Sequence, residues 1–104
     1  ITLRALEVLK NVDLIACEDT RITAKLLSHY GIKKPTLSYN DHNAVARRPE
    51  IFDTIRNGGR VALVSDAGTP LISDPGYKLV REAVAQGLFV TALPGASSLL
   101  SALC

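Results

Sequence analysis

Two polar segments of the sequence contain residue types that can do chemistry, and the first follows an apolar run at residues 14–17. Glu18, Asp19 and Arg21 lie directly after that run. Two carboxylates beside one guanidinium can serve acid–base chemistry or clamp a substrate that carries hydroxyl groups. A structural interpretation stays open, in which Asp19 and Thr20 cap a helix and the charges form a salt bridge.

The second segment is the loop SDAGTPLISDPG, residues 65–76. Strand-to-helix loops usually have about 2 to 6 residues, so the extra length favours a ligand site. Gly68 lets a backbone approach a ligand closely, Thr69 offers a hydroxyl, and Pro70 stiffens the turn. We therefore interpret Asp66 and Gly68 as functional residues and not only as turn formers.

Two further segments give weaker signals. PGASS, residues 94–98, can present backbone N–H groups and the hydroxyls of Ser97 and Ser98 at a predicted helix N-terminus, which favours polar or anionic ligand groups. Capping of that helix by one serine is the alternative. His42 lies in the loop YNDHN and can accept a proton near neutral pH, although lone loop histidines are more often simply exposed.

Alternating helix and strand signals must position these segments. Helices are predicted at Leu3–Asn11, from Thr20 to Gly31, at about 47–57, from Asp74 to Gly87 and through SSLLSALC, and strands at 14–17, 36–39, 61–65 and 89–93. The strands are apolar runs without inside–outside alternation, so we expect an α/β fold with a mainly parallel sheet and helices on both faces. Ligands of such sheets bind outside the carboxyl ends of the strands, where the polar segments should meet.

Length and composition narrow the function classes. The 104 residues suffice for one compact domain, and the net charge of +2 permits RNA as a partner without arguing for it. No apolar run approaches the roughly 20 residues of a membrane span, so a cytosolic protein is expected. Cys17 and Cys104 offer neither a metal spacing nor a disulfide framework, and no metal site is predicted. The residues alone thus predict a small-molecule site without naming its ligand.

Four stretches of the sequence resemble the ribosomal RNA small-subunit methyltransferase I family, which belongs to the tetrapyrrole methylase superfamily. They are ALEVLKNVDLIACEDTRITAKLLSHYGI, the DHN of residues 41–43, ALVSDAGTPLISDPGYKLV and LPGASSLLSAL. The resemblance implies a bacterial, cytoplasmic enzyme that transfers a methyl group from S-adenosylmethionine to the ribose 2'-hydroxyl of a cytidine in 16S ribosomal RNA of the small ribosomal subunit. It also implies two α/β domains, a homodimer, and a cofactor cleft between the domains.

The resemblance also assigns roles to residues of this sequence. By matching stretches, the cofactor-binding residues are Asp66, Ala67, Gly68, Thr69, Pro70, Ile72, Ser97 and Ser98. We expect the EDTR segment to face the RNA ribose. In that arrangement Glu18 or Asp19 receives or orients the hydroxyl proton, and Arg21 holds a phosphate or the loop itself.

The family pattern extends beyond both ends of the sequence. Residues 1–104 are therefore expected to form part of an N-terminal, S-adenosylmethionine-binding domain, without its first strand and without the C-terminal domain, and to be inactive alone. Two alternatives stay open. One is methylation of a tetrapyrrole carbon, which keeps the cofactor loop, and the other is a non-catalytic nucleotide-sensing or phospho-accepting α/β module with Asp66 as acceptor.

Overall fold

The structure is a computed structural model, and it describes residues 3–64, 74–93 and 97–102. In chain order its elements are α1 (Leu3–Asn11), β1 (Leu14–Cys17), α2 (Thr20–His29), β2 (Thr36–Ser38), α3 (Ala44–Arg56), β3 (Arg60–Val64), α4 (Asp74–Ala85), β4 (Phe89–Leu93) and β5 (Ser97–Ser101). The first eight agree in type with the predicted elements, and the last does not.

The strands form one sheet in the order β2-β1-β3-β5-β4. Strand β1 pairs in parallel with both β2 and β3, and β5 pairs antiparallel with β3 and with β4. Strands β1 to β4 thus run in one direction, and β5 lies between β3 and β4 in the opposite direction. The α/β class with a mostly parallel sheet is confirmed.

The helix predicted through SSLLSALC is wrong, because Ser97–Ser101 form strand β5. Serine and leucine lack the β-branched side chains that favour strands, so the local pattern gave no strand signal. In the sheet, however, Leu100 lies opposite Val61 on one side and opposite Val90 on the other. The backbone groups of β3 and β4 need partners, and β5 supplies them on both sides.

Two apolar clusters cover the two faces of the sheet. Strand β3 contributes to both, since Ala62 belongs to one cluster and its neighbours Val61 and Leu63 to the other. Leu9 of α1 and Leu27 of α2 pack in the cluster of Ala62, whereas Ile51, Phe52 and Ile55 of α3 and Leu79 and Ala83 of α4 pack in the other. The prediction of helices on both faces is therefore confirmed.

Two helices differ in detail from the predictions. The spacing of Ile22, Leu26 and Leu27 predicts one apolar face of α2, but in the structure Thr23 and Leu27 are buried, while Ile22 and Leu26 are 52% and 36% exposed. Helix α3 begins at Ala44 and not near residue 47, and it contains Pro49. It starts early because the carbonyl of Asn40 accepts the N–H of Ala44 at 2.9 Å and winds the preceding turn. No helix within the described residues is long and apolar enough to cross a bilayer.

Tyr39 connects the end of β2 to the start of α4. Its side chain is 1% exposed, and its hydroxyl donates a 2.7 Å hydrogen bond to the carbonyl of Pro75 in the first turn of α4. Its backbone N–H donates to the carbonyl of Cys17 at 2.7 Å, which extends the pairing of β1 with β2. Burial raises the pKa of the Tyr39 phenol. One residue thus links β2, β1 and α4 through its backbone and its side chain.

We expect Tyr39→Phe to lower the free energy of unfolding by about 1 kcal/mol at pH 7, the typical net value of one hydrogen bond. Because the raised pKa keeps the folded phenol protonated, the wild type should lose stability above about pH 10, where the unfolded tyrosine ionises, and the variant should lose less. Urea unfolding between pH 7 and 11 measures both effects. Tyr30→Phe, at a side chain 37% exposed, is the matched control. Equal midpoints and equal alkaline slopes for Tyr39→Phe and wild type would contradict the assignment.

Candidate functional site

The ends of four strands lie in one row across the sheet. Cys17, the last residue of β1, pairs with Ser38 of β2 and with Val64 of β3. Val64 pairs in turn with Ser97, which also lies opposite Leu93 of β4. Neighbouring strands are about 4.8 Å apart, so Ser38, Cys17 and Val64 lie side by side, and Leu93 lies two strands beyond Val64. For these strand ends, the predicted meeting at one edge of the sheet is confirmed.

The predicted cofactor-binding residues are only partly within the described structure. Asp66, Ala67, Gly68, Thr69, Pro70 and Ile72 lie outside the described residues. Ser97 and Ser98 lie in β5 and do not stand at a helix N-terminus, so the argument from exposed helix N–H groups does not apply to them. Ser98 is only 5% exposed. Cofactor binding by these residues stays a prediction.

Asp19 and Arg21 form a closed pair at the start of α2. The carboxylate accepts the backbone N–H of Arg21 at 2.9 Å, and the guanidinium donates Nε–H at 3.2 Å and Nη2–H at 3.0 Å to its two oxygens. Asp19, and not Thr20, is thus the N-cap. Hydrogen bonds from Arg21 lower the pKa of Asp19, and the same pair raises the pKa of Arg21. Of the two interpretations of this segment, the helix cap with a salt bridge therefore fits Asp19 and Arg21. The Arg21 side chain is nonetheless 87% exposed.

Glu18 is the carboxylate of this segment that stands apart from that pair. It is half-buried directly after Cys17, and among the described residues it forms no ion pair. Its backbone carbonyl accepts two long hydrogen bonds from the neighbouring loop, at 3.5 Å from Ser38 Oγ and 3.4 Å from Asn40 Nδ2. The loop after β2 thus fixes the backbone from which the Glu18 side chain projects.

Sequence reasoning missed the amide network that holds this neighbouring loop. Asn43 Oδ1 accepts the N–H of Asn40 at 2.8 Å, and Asn43 Nδ2 donates to Ser38 Oγ at 3.1 Å. Asn40 Oδ1 accepts the N–H of His42 at 2.9 Å, which leaves His42 exposed on the turn. The sequence does carry a signal for this network, namely two asparagines, Asn40 and Asn43, just before a predicted helix. Asparagine side chains commonly form hydrogen bonds to the backbone of turns.

Glu18 stands at the row of strand ends, where its carboxylate can accept a proton from a ligand bound at this edge of the sheet. Glu18 directly follows Cys17, which pairs with Val64 at the end of β3, and the Asp19–Arg21 pair comes next in the chain. No group of three or more His, Cys, Asp and Glu side chains suited to a metal ion occurs within residues 3–64, 74–93 and 97–102.

Comparison with known proteins gives one consistent result. The family profile described as Tetrapyrrole (Corrin/Porphyrin) Methylases matches residues 1–104. The chain is similar to proteins named ribosomal RNA small subunit methyltransferase I from Mesorhizobium japonicum (52% identical over 99% of this chain), Haemophilus influenzae (53% over 100%) and Thermotoga maritima (54% over 98%). It spans 35%, 37% and 46% of the lengths of these relatives, respectively.

We expect Asp19→Asn to make the loss of stability in acid shallower. Because the folded pKa of Asp19 is lowered, its ionised form stabilises the fold above the unfolded value near pH 3.9, and this contribution is lost as the pH falls through the folded pKa. Urea midpoints between pH 6 and 2 measure the effect. Arg21→Gln removes the largest cause of the shift, the guanidinium hydrogen bonds, and should change the profile in the same direction. An acid profile unchanged in both variants would refute the coupling.

Proposed function

Because the chain belongs to the tetrapyrrole (corrin/porphyrin) methylase family, we propose that the protein that carries it methylates ribosomal RNA of the small subunit. The proposed acceptor is the ribose 2'-hydroxyl of a cytidine in 16S ribosomal RNA. The observation that carries this proposal is that more than half of the aligned residues are identical to those of the three relatives named for that RNA. Since the chain spans less than half of each relative, activity is proposed for the full-length protein.

S-adenosylmethionine is the proposed methyl donor, which supplies an electrophilic methyl group bound to a positively charged sulfur. Asp66 to Pro70 and Ile72 are proposed to hold it, with Ser97 and Ser98. The register of the sheet supports this arrangement, because the loop that begins after Val64 leaves the sheet next to Cys17, and hence next to Glu18. Cofactor and acid–base group are thereby expected on one edge of the sheet.

Glu18 is proposed to receive the proton of the ribose hydroxyl as its oxygen takes the methyl group. The carboxylate of Asp19 already accepts three hydrogen bonds from Arg21, which occupy its oxygens and lower its pKa, so it is poorly suited to accept the proton. We therefore propose that Asp19 and Arg21 maintain the conformation of the loop and do not accept the proton. Ser38 and Asn40 also hold this loop, since the side chains of both donate hydrogen bonds to the Glu18 carbonyl. Alignment of the reacting groups can contribute much of the rate, and a general base about 10²- to 10⁴-fold more.

The remaining proposals concern assembly and compartment. A homodimer is proposed, and the stripe of exposed apolar side chains on α2 supports it: Ile22 is 52%, Leu26 36% and Tyr30 37% exposed at a spacing of four residues. Residues four apart lie on one face of a helix, so these side chains form a continuous surface. A ribosomal substrate places the proposed activity in the cytoplasm. Light scattering of the full-length protein tests the dimer.

We expect Glu18→Gln in the full-length enzyme to lower kcat by about 10²- to 10⁴-fold, because the amide cannot accept the hydroxyl proton. The affinity for S-adenosylmethionine should stay near that of the wild type. The measurement is single-turnover transfer of labelled methyl to small ribosomal subunits with unmethylated 16S RNA. Glu7→Gln on α1 is the matched control, since this exposed glutamate lies outside the row of strand ends.

The result also separates the alternative functions. Wild-type turnover in Glu18→Gln would refute the assignment of Glu18 as the base. Methyl incorporation into a porphyrinoid acceptor, and none into 16S RNA, would replace the RNA substrate with a tetrapyrrole carbon. Acyl-phosphate labelling at Asp66 without use of S-adenosylmethionine would instead identify a phospho-accepting module.

A further inference from the structure

Helices α3 and α4 line a groove that carries several positively charged side chains. The groove has a volume of about 580 Å³. Arg48, Arg56, Lys78 and Arg81 line it together with one carboxylate, Glu82. Four cations against one anion give a local charge of +3, which exceeds the net charge of +2 of all 104 residues. The groove is therefore a locally positive surface of the described chain, to which an anion is attracted.

The positively charged side chains of the groove differ in whether a nearby carboxylate already forms an ion pair with them. Arg56 forms an ion pair with Asp53 at 3.3 Å and donates to Gln86 Oε1 of α4 at 3.2 Å, which joins the two helices at one end. Arg48 and Arg81 take part in no ion pair within the described parts of the chain. Arg81 is exposed and Arg48 half-buried. Both guanidinium groups can thus bind an external anion.

The groove begins at the edge of the sheet that carries the candidate site. Helix α3 starts at Ala44, immediately after the turn that holds His42, and runs back along the sheet to Arg56. From residue 45 to residue 56 the lining extends over about 16 Å at 1.5 Å per residue. Helix α4 starts at Asp74 and contributes Lys78 and Arg81 along the same direction. A bound strand can therefore continue from the candidate site into the groove.

The lining suits a phosphate backbone better than bases. Among the described lining residues the aromatic ring is that of Phe52, which is 3% exposed and cannot stack on a base. Arginine binds phosphate oxygens through paired N–H groups, and such contacts position a nucleic acid without reading its sequence. We infer that the groove between α3 and α4 docks the phosphate backbone of the ribosomal RNA beside the methylated nucleotide, an inference that rests on the proposed function.

The test uses full-length protein and small ribosomal subunits that carry unmethylated 16S RNA. Arg48→Gln/Arg81→Gln should weaken subunit binding on the order of 10- to 100-fold at ~0.1 M salt and reduce the slope of log K against log salt by about 2, as expected for two lost phosphate contacts. The KM for subunits should rise accordingly, with kcat at saturation and the affinity for S-adenosylmethionine unchanged. Because Arg48 is half-buried, Lys78→Gln/Arg81→Gln provides a second variant with exposed side chains and the same expected direction.

Arg4→Gln/Lys10→Gln is the matched control, because it removes two exposed charges from α1 on the other face of the sheet. Unchanged affinity and salt slope in both groove variants, or an equal loss in the control, would overturn the inference while methyl transfer by the wild type still supported the proposed function. Lost binding to phosphatidylserine vesicles with unchanged RNA binding would assign the groove to a lipid surface instead. Absence of methyl transfer by the wild type would refute the proposed function itself.

Discussion

Parallel pairing of β1 on both sides is the constraint on which the candidate site depends. Ile15, Ala16 and Cys17 are fully buried, and the two ladders place Cys17 in register with Ser38 and Val64. At the start of the β1–β3 ladder, Asp13 N–H donates to the Arg60 carbonyl and Arg60 N–H donates to the Asp13 carboxylate, both at 2.9 Å, and these two hydrogen bonds hold the register of β1 against β3. The starting points of the polar segments then follow from the sheet and not from their own sequences.

The loops at this edge support one another through few contacts. Asp19 and Arg21 shape the first turn of α2, while Ser38 and Asn40 bind the carbonyl of Glu18. The hydroxyl of Tyr39 adds a buried connection to α4. Such contacts hold loop residues on a rigid sheet, which is how functional groups on loops usually gain a defined position. They also give the neighbouring carboxylates Glu18 and Asp19 different environments.

The helices on the two faces of the sheet have different relations to solvent. On one face, α2 carries the exposed apolar side chains Ile22 and Leu26. On the other, α3 and α4 bury Ile51 and Leu79 against the sheet and present the basic groove outward. An apolar surface suits a protein partner and a basic groove suits a polyanion. One sheet thus separates two surfaces of different chemistry and carries the candidate site at its edge.

Local patterns in the sequence determined most of the elements and much of the site. The apolar runs at β1 and β3 and the helix ends at Gly31 and Gly87, both with positive φ, follow from side chains and backbone preferences that act over a few residues. The polar segment at Glu18 was likewise recognised from its place after a strand. Helix α3 was recognised, but its start was not, because a hydrogen bond to Asn40 sets it.

Only the tertiary structure decided which segments pair and which polar groups meet. Ser97–Ser101 became a strand because β3 and β4 each offer an edge to it, a requirement that the segment's own residues do not express. Contacts between distant residues likewise tie the Glu18 carbonyl to Ser38 and Asn40 and gather Arg48 and Arg81 into one groove. The sequence by itself determined local conformation and chemical type, whereas partner choice and charge placement depend on packing between elements far apart in the chain.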